Sequence, residues 1–176
     1  MATAKSRTRT KTLVSALSML LLLPCITSTA AMNDMKKKVT QIEFYMHDIV
    51  KGKNVTAVTV TSGPPHFGMI RVIDDSVTAG PSHKSKELGR GRGMYAQDSL
   101  QGVNLMLVFT VVFQAGEHNG STLSLLGQDN TMDMQREIAV VGGTGHFRHA
   151  TGHAIFETQA VFGLNAVLKF NVTVLH

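Results

Sequence analysis

Asp48 closes the segment Ile42-Glu43-Phe44-Tyr45-Met46-His47-Asp48, in which apolar and polar residues alternate. On an unbroken strand it shares one face with Ile42, Phe44 and Met46, because strand side chains change sides with a period of two. A carboxyl among apolar neighbours has a raised pKa, since leaving water disfavours the anion. Such a group holds a proton near neutrality and is able to give it to a bound oxygen. If the strand stops at His47, Asp48 is instead a turn residue ahead of Val50-Lys51-Gly52, and the spacing leaves both readings open. Asp129 and Arg136 form a second candidate pair, in Gly127-Gln128-Asp129-Asn130 and Gln135-Arg136-Glu137. By composition alone they are ordinary turn and edge-strand charges. Tyr95, one of two tyrosines in the chain, reads equally as a packing residue.

Eight histidines raise the question of a metal. His146, His149 and His153 have suitable spacings, and His149 and His153 would share a face of a helix. The segment reads as loop and strand, however, and no nearby carboxylate completes the three or four converging ligands a site needs. No metal or other cofactor is expected. Gly142-Gly143-Thr144-Gly145 follows a strand, but no helix opens after it, so the dipole that would hold a phosphate is missing. It reads as a tight turn.

The elements that must position these residues are strands. Val58 and Val60 alternate with Thr59 and Thr61, and Met69 to Ile73 is β-rich. Leu105 to Phe113, Leu123 to Leu126, Glu137 to Val141, Ala154 to Gln159 and Ala166 to Leu175 follow. Turn signals separate them, including Ser62-Gly63-Pro64-Pro65, Ala79-Gly80-Pro81-Ser82 and Gly116 to Gly120. No helical periodicity is evident beyond the N-terminal thirty residues. Eight or nine short strands of this kind predict an antiparallel barrel or sandwich. An eight-stranded barrel is just wide enough inside for one small ligand.

Residues 1–30 read as a secretory signal peptide. Lys5, Arg7, Arg9 and Lys11 precede an apolar run from Leu13 to Leu23, then Pro24 and the small residues Ser28-Thr29-Ala30. The run is shorter than the roughly 20 residues of a membrane span. The chain's formal charge of +5 is largely that of this leader, whose four basic residues face no acid. Thirteen basic and twelve acidic residues remain beyond it, too nearly balanced to gather nucleic acid. Cys25, the sole cysteine, also lies there. The mature chain therefore has neither a disulfide nor a thiolate for catalysis or metal binding. Residues 31–40 read as a frayed polar arm, and 41–176 as one domain large enough to bury its own core. Asn54-Val55-Thr56, Asn119-Gly120-Ser121 and Asn171-Val172-Thr173 are glycosylation sequons in a secreted chain. For the last of them, Asn171 must point outward while Phe170 and Val172 face in.

Four blocks in order carry a family resemblance: Phe44-Tyr45-Met46-His47-Asp48-Ile49, Gly89-Arg90-Gly91-Arg92-Gly93-Met94-Tyr95, Gly116-Glu117-His118-Asn119-Gly120-Ser121-Thr122-Leu123 and Arg136 to Phe147. With the tail Phe170-Asn171-Val172-Thr173-Val174, this set resembles the plant dirigent proteins from about Glu43 to the C-terminus. The resemblance implies an all-β, eight-stranded antiparallel β-barrel, secreted to the apoplast and assembled as a homo-oligomer, trimer or dimer. It implies a phenolic radical or quinone methide ligand whose coupling the protein steers. A laccase or peroxidase would supply the oxidant, the protein being a stereo-directing auxiliary without oxidase activity. It places Asp48, Asp129 and Arg136 in the pocket as catalytic candidates, with Tyr95 on its wall. Retention of both Asp129 and Arg136 favours the lignan-forming members, which couple monolignols such as coniferyl alcohol. Three departures, Arg92, Thr151 and Val167, the last at a pocket phenylalanine position, leave open a dehydratase or cyclase of the pterocarpan-synthase type. A wall or carbohydrate-binding barrel without chemistry is the third reading.

Overall fold

The computed structural model describes residues 37–61, 67–100 and 104–176. The signal-peptide reading and most of the arm lie outside them. Among the described residues nine antiparallel strands follow one another: β1 Val39–Asp48, β2 Ala57–Thr59, β3 Ile70–Thr78, β4 Glu87–Gln97, β5 Asn104–Phe113, β6 Thr122–Asn130, β7 Arg136–Thr144, β8 Thr151–Phe162 and β9 Asn165–Leu175. The sheet runs β1-β9-β8-β7-β6-β5-β4-β3, and β1 pairs with β3 to close it. The result is the eight-stranded antiparallel barrel, with β2 appended to the edge of β3.

Alternation decides which side chains enter. On β1 the inward set Ile42, Phe44 and Met46 is buried, and on β9 Phe170, Val172 and Val174 are buried while Asn171 is exposed. Phe44 and Phe156 stack on opposite sides of Phe170, with ring centroids 5.0 and 4.9 Å away, and Phe109 meets Phe170 edge-on at 5.7 Å. This aromatic layer fills the middle of the barrel. Phe147, in the 3₁₀ turn Gly145–Phe147, plugs one end between Phe113, His118 and His176.

Val39 and Thr40 are not arm but the first residues of β1. They pair with Leu175 and Val174, and Lys38 exchanges backbone hydrogen bonds with His176. Strand β4 is absent from the pattern expected of the sequence, because Gly89-Arg90-Gly91-Arg92-Gly93 has no apolar alternation to reveal it. Its glycines permit close approach: a Cβ on Gly93 would fall 2.2 Å from the Val108 carbonyl oxygen. Gly142 and Gly143 likewise complete β7, and only Gly145, at φ +63°, opens the turn. A Cβ on Gly143 would meet Phe147 Cβ at 2.7 Å, so this glycine lets the plug seat.

Candidate functional site

The end of the barrel opposite Phe147 is a cavity of about 400 Å³, lined by residues from the last turns of β1, β4, β6 and β8 and the first of β3, β5, β7 and β9. Met46, Ile73, Leu107, Phe109 and Leu168 give it apolar walls. Into these walls are set Asp48, Asp75, Tyr95 and Arg71 on one side, and Asp129, Arg136 and Thr158 on the other. Around the ring β3 and β7 are four strands apart in either direction, so the two polar groups face each other across the ligand-sized space.

On the first wall β1 runs to Asp48, which keeps the register of Met46 and enters the cavity. Burial raises its pKa, opposed by the Tyr95 hydroxyl, which donates to Oδ2 at 3.0 Å, and by the nearby Arg71 charge. Tyr95 is itself buried, and burial and the Asp48 charge push its phenol far up, so it stays a hydrogen-bond donor. Arg71 lies 5.7 Å over the Tyr95 ring.

Asp75 is the residue that sequence reasoning missed. It is wholly buried, at 0 % exposure, and its pKa is raised to about 8, first by burial and then by the like charge of Asp48, against a hydrogen bond from Thr56. The signal lay in Ile73-Asp74-Asp75-Ser76-Val77, where Asp75 is in register with two apolar residues while Asp74 is out of it. Asp74 accordingly sits outside, held by Arg90 and Arg92 at 2.9 and 3.1 Å.

The seam between β1 and β3 explains how a carboxyl reaches this position. These strands pair only from Tyr45 to His47, and past that point they part. The segment 49–56 fills the gap: Ile49 O accepts from Thr56 N and Ala57 N, and Asp74 N donates to Thr56 O. The Thr56 hydroxyl thereby faces Asp75 Oδ1 at 2.5 Å.

On the second wall Arg136 Nε lies 3.4 Å from Asp129 Oδ1. The charges are in contact, but neither atom makes a hydrogen bond of good geometry. Burial raises the Asp129 pKa more than Arg136 lowers it. Arg136 is anchored otherwise: Nη2 donates to Thr158 Oγ1 at 2.9 Å, and the guanidinium sits 4.5 Å above the Phe156 ring. Asp129 is the last residue but one of β6 and Arg136 opens β7, so one hairpin presents both. They are neither the turn nor the edge charges that their composition suggests.

The three departures do not reach the cavity. Arg92 and Thr151 are exposed. Val167 is buried but out of register with Ala166 and Leu168, which line the cavity, and it pairs with His47 on the barrel's outer side. The period of two set by Phe170 and Val172 excludes it. Among the described residues no three His, Cys, Asp or Glu side chains converge as metal ligands. His149 lies in a turn and His153 on a strand, not on one helix face. Asn54, Asn119 and Asn171 are all exposed.

The family model for dirigent-like proteins matches residues 39–175, the span of the barrel. The chain belongs to the dirigent family. It is 41 % identical over 146 residues to Dirigent protein 1 of Arabidopsis thaliana, covering 80 % of each chain. It is 36 % identical over 151 residues to pterocarpan synthase 1 of Glycyrrhiza echinata, again covering 80 % of each. The solved structure of a pterocarpan synthase dirigent protein superposes with a TM-score of 0.77 at 37 % identity, over 81 % of this chain and 87 % of that one. A second such structure gives 0.76 at 39 % identity, over 79 % and 96 %.

Proposed function

We propose that this dirigent protein binds phenoxy radicals or the quinone methides they form and sets the face on which the next bond is made, coupling monolignols such as coniferyl alcohol into optically active lignans. The observation that carries the reading is the pair of acid-bearing walls on one apolar cavity. A quinone methide carbonyl must gain a proton as a hydroxyl attacks the ring-bearing carbon. Asp48 and Asp129 are each pushed toward holding a proton where the ligand lies. Arg136, anchored on Thr158 and Phe156, presents a charge to a phenolic oxygen. With an acid on each of two facing walls, a dimeric intermediate can be protonated at both ends without turning over. The oxidation is assigned to a separate laccase or peroxidase. Secretion to the apoplast, glycosylation at the exposed Asn54, Asn119 and Asn171, and assembly as a homo-oligomer belong to the same reading.

The likeness to two pterocarpan synthases favours a second one, in which an isoflavonoid-type alcohol loses water and cyclises through a quinone methide with no oxidant. One experiment separates them. Purified protein is incubated with coniferyl alcohol and an oxidase, and separately with an isoflavonoid alcohol and no oxidase, and the products are resolved on a chiral column. Enantiomeric excess in the first arm supports coupling, and product in the second supports cyclisation. Racemic or absent product in both, across several phenols, refutes the quinone methide reading.

A further inference from the structure

The two polar walls repeat one arrangement. On each, an arginine stands over the ring of the residue paired with it on the next strand, Arg136 over Phe156 at 4.5 Å and Arg71 over Tyr95 at 5.7 Å. On each, a threonine hydroxyl fixes the guanidinium: Thr158 accepts from Arg136 Nη2 at 2.9 Å, and Thr59 from Arg71 Nε at 3.1 Å. On each, the arginine's charge acts on a neighbouring carboxyl, Asp129 or Asp48. Arg71 faces inward by the period of two that it shares with Ile73 and Val77. It lines the cavity and stays partly exposed at the rim, so a ligand in the cavity has access to it.

The walls differ in what balances the charge. Arg136 has Asp129 Oδ1 at 3.4 Å, and Arg90, Arg92 and Lys169 also have carboxylates within ion-pair distance. Arg71 makes no such pair among the described residues. Asp48 senses its charge but takes its hydrogen bond from Tyr95. With Nε committed to Thr59, the Nη pair supplies the donors that a ligand oxygen would meet. In an apolar cavity a fixed guanidinium favours an oxygen that carries or develops negative charge.

We infer that Arg71 is a specificity-determining residue that binds the ligand's second ring oxygen, so that the cavity selects molecules with a phenolic or carbonyl oxygen at both ends. The inference rests on the quinone methide reading and deepens it. Two phenoxy radicals joined carbon to carbon give an intermediate with a quinone methide carbonyl at each end. Arg136 presents a charge to one of these oxygens, and Arg71, on the facing wall, presents a charge to the other. A ligand held at one end alone is free to turn about that hydrogen bond, whereas one held at both ends exposes a single face of each ring. Arg71 thus acts on selection and orientation, and the proton transfers stay with Asp48 and Asp129.

The test uses two stable probes on the purified protein: a benzophenone with a para hydroxyl on each ring, and its counterpart with a para hydroxyl on one ring. In titration calorimetry wild type should bind the two-ended probe about 10- to 100-fold more tightly, the usual effect of one charge-assisted hydrogen bond. Arg71→Met should lose that preference while its affinity for the one-ended probe, which Arg136 still holds, is unchanged. Arg71→Lys keeps a charge without the planar fork and should retain only part of the preference. Absorption gives a second signature, since the two-ended probe shifts to longer wavelength when it ionises. A guanidinium at the second oxygen favours the phenolate, so the bound probe should ionise at lower pH in wild type than in Arg71→Met. An Arg71 that merely supports the fold would weaken both probes alike. That result, or a wild type that binds the two probes equally, overturns the inference. A wild type that shows the preference yet gives racemic or no product with both phenol classes refutes the quinone methide reading instead and leaves the role of Arg71 in selection standing.

Discussion

Replacement of Asp75 by Asn should make the protein more stable at neutral pH than it is as found. Asp75 titrates at about 8 in the folded state, against an ordinary value of 3.8. The folded state therefore holds a proton that the unfolded chain has already released across that window. A raised folded pKa contributes stability that is complete below pH 4 and lost as pH rises toward 8. At about 1.4 kcal/mol per pH unit, the loss between pH 4 and pH 7 is about 4 kcal/mol. Asn keeps the shape and hydrogen-bonding capacity without the charge, so its curve lacks this slope. Since other groups titrate too, the quantity to measure is the difference between variant and wild type, by urea unfolding at pH 4, 5.5 and 7. For a domain of this size, about 4 kcal/mol is roughly 12 °C in Tm, which thermal melts would also show. Two stability curves that run parallel across the window would refute the argument, because they would mean Asp75 ionises at the same pH folded and unfolded.

Three further outcomes follow from the same geometry. Arg136→Met strands Asp129 in the apolar wall, where it should take up a proton, and should weaken phenol binding roughly 10- to 100-fold as a charge-assisted hydrogen bond is lost, measured by titration calorimetry. Asp48→Asn and Asp129→Asn should fold with unchanged circular dichroism yet lose stereocontrol or about 100- to 10,000-fold in rate, read by chiral chromatography. His47 Nε2 is hydrogen-bonded to Thr78 Oγ1 at 2.8 Å and its ring lies tilted with its centroid 3.9 Å from that of His83, and burial and the neighbouring His83 depress its pKa to about 4. Its lowered value means stability falls as pH drops from about 6.5 to 4, by about 3 kcal/mol, and His47→Gln should remove that part of the acid-side loss in pH-dependent unfolding.

Much of the barrel was legible in the chain because one property, the alternation of apolar residues, reports both strand and facing. Ile42, Phe44 and Met46 on β1 and Phe170, Val172 and Val174 on β9 announce their inward side directly. Where that property is missing, legibility fails: β4, with glycine at alternate positions, carries an inward face made of absent side chains. Choice of barrel over sandwich came from resemblance to a family rather than from periodicity, since both folds alternate alike.

The site divides on the same line. Asp48 could be placed inward by its register with Met46, and Asp75 by its register with Ile73 and Val77, since a period of two is a local property. Nothing local separates Asp129 and Arg136 from solvated surface charges. Their burial arises because both face the barrel cavity, where Phe156 and Thr158, from β8, receive the guanidinium. Which carboxyl keeps its proton is likewise a tertiary matter. It depends on Tyr95 reaching Asp48 across 47 positions of sequence and on Thr56 filling the seam where β1 and β3 part. A residue's side of a strand is written in its immediate neighbours, whereas its pKa is set first by how far the closed barrel removes it from water and then by the distant charges and donors brought near it.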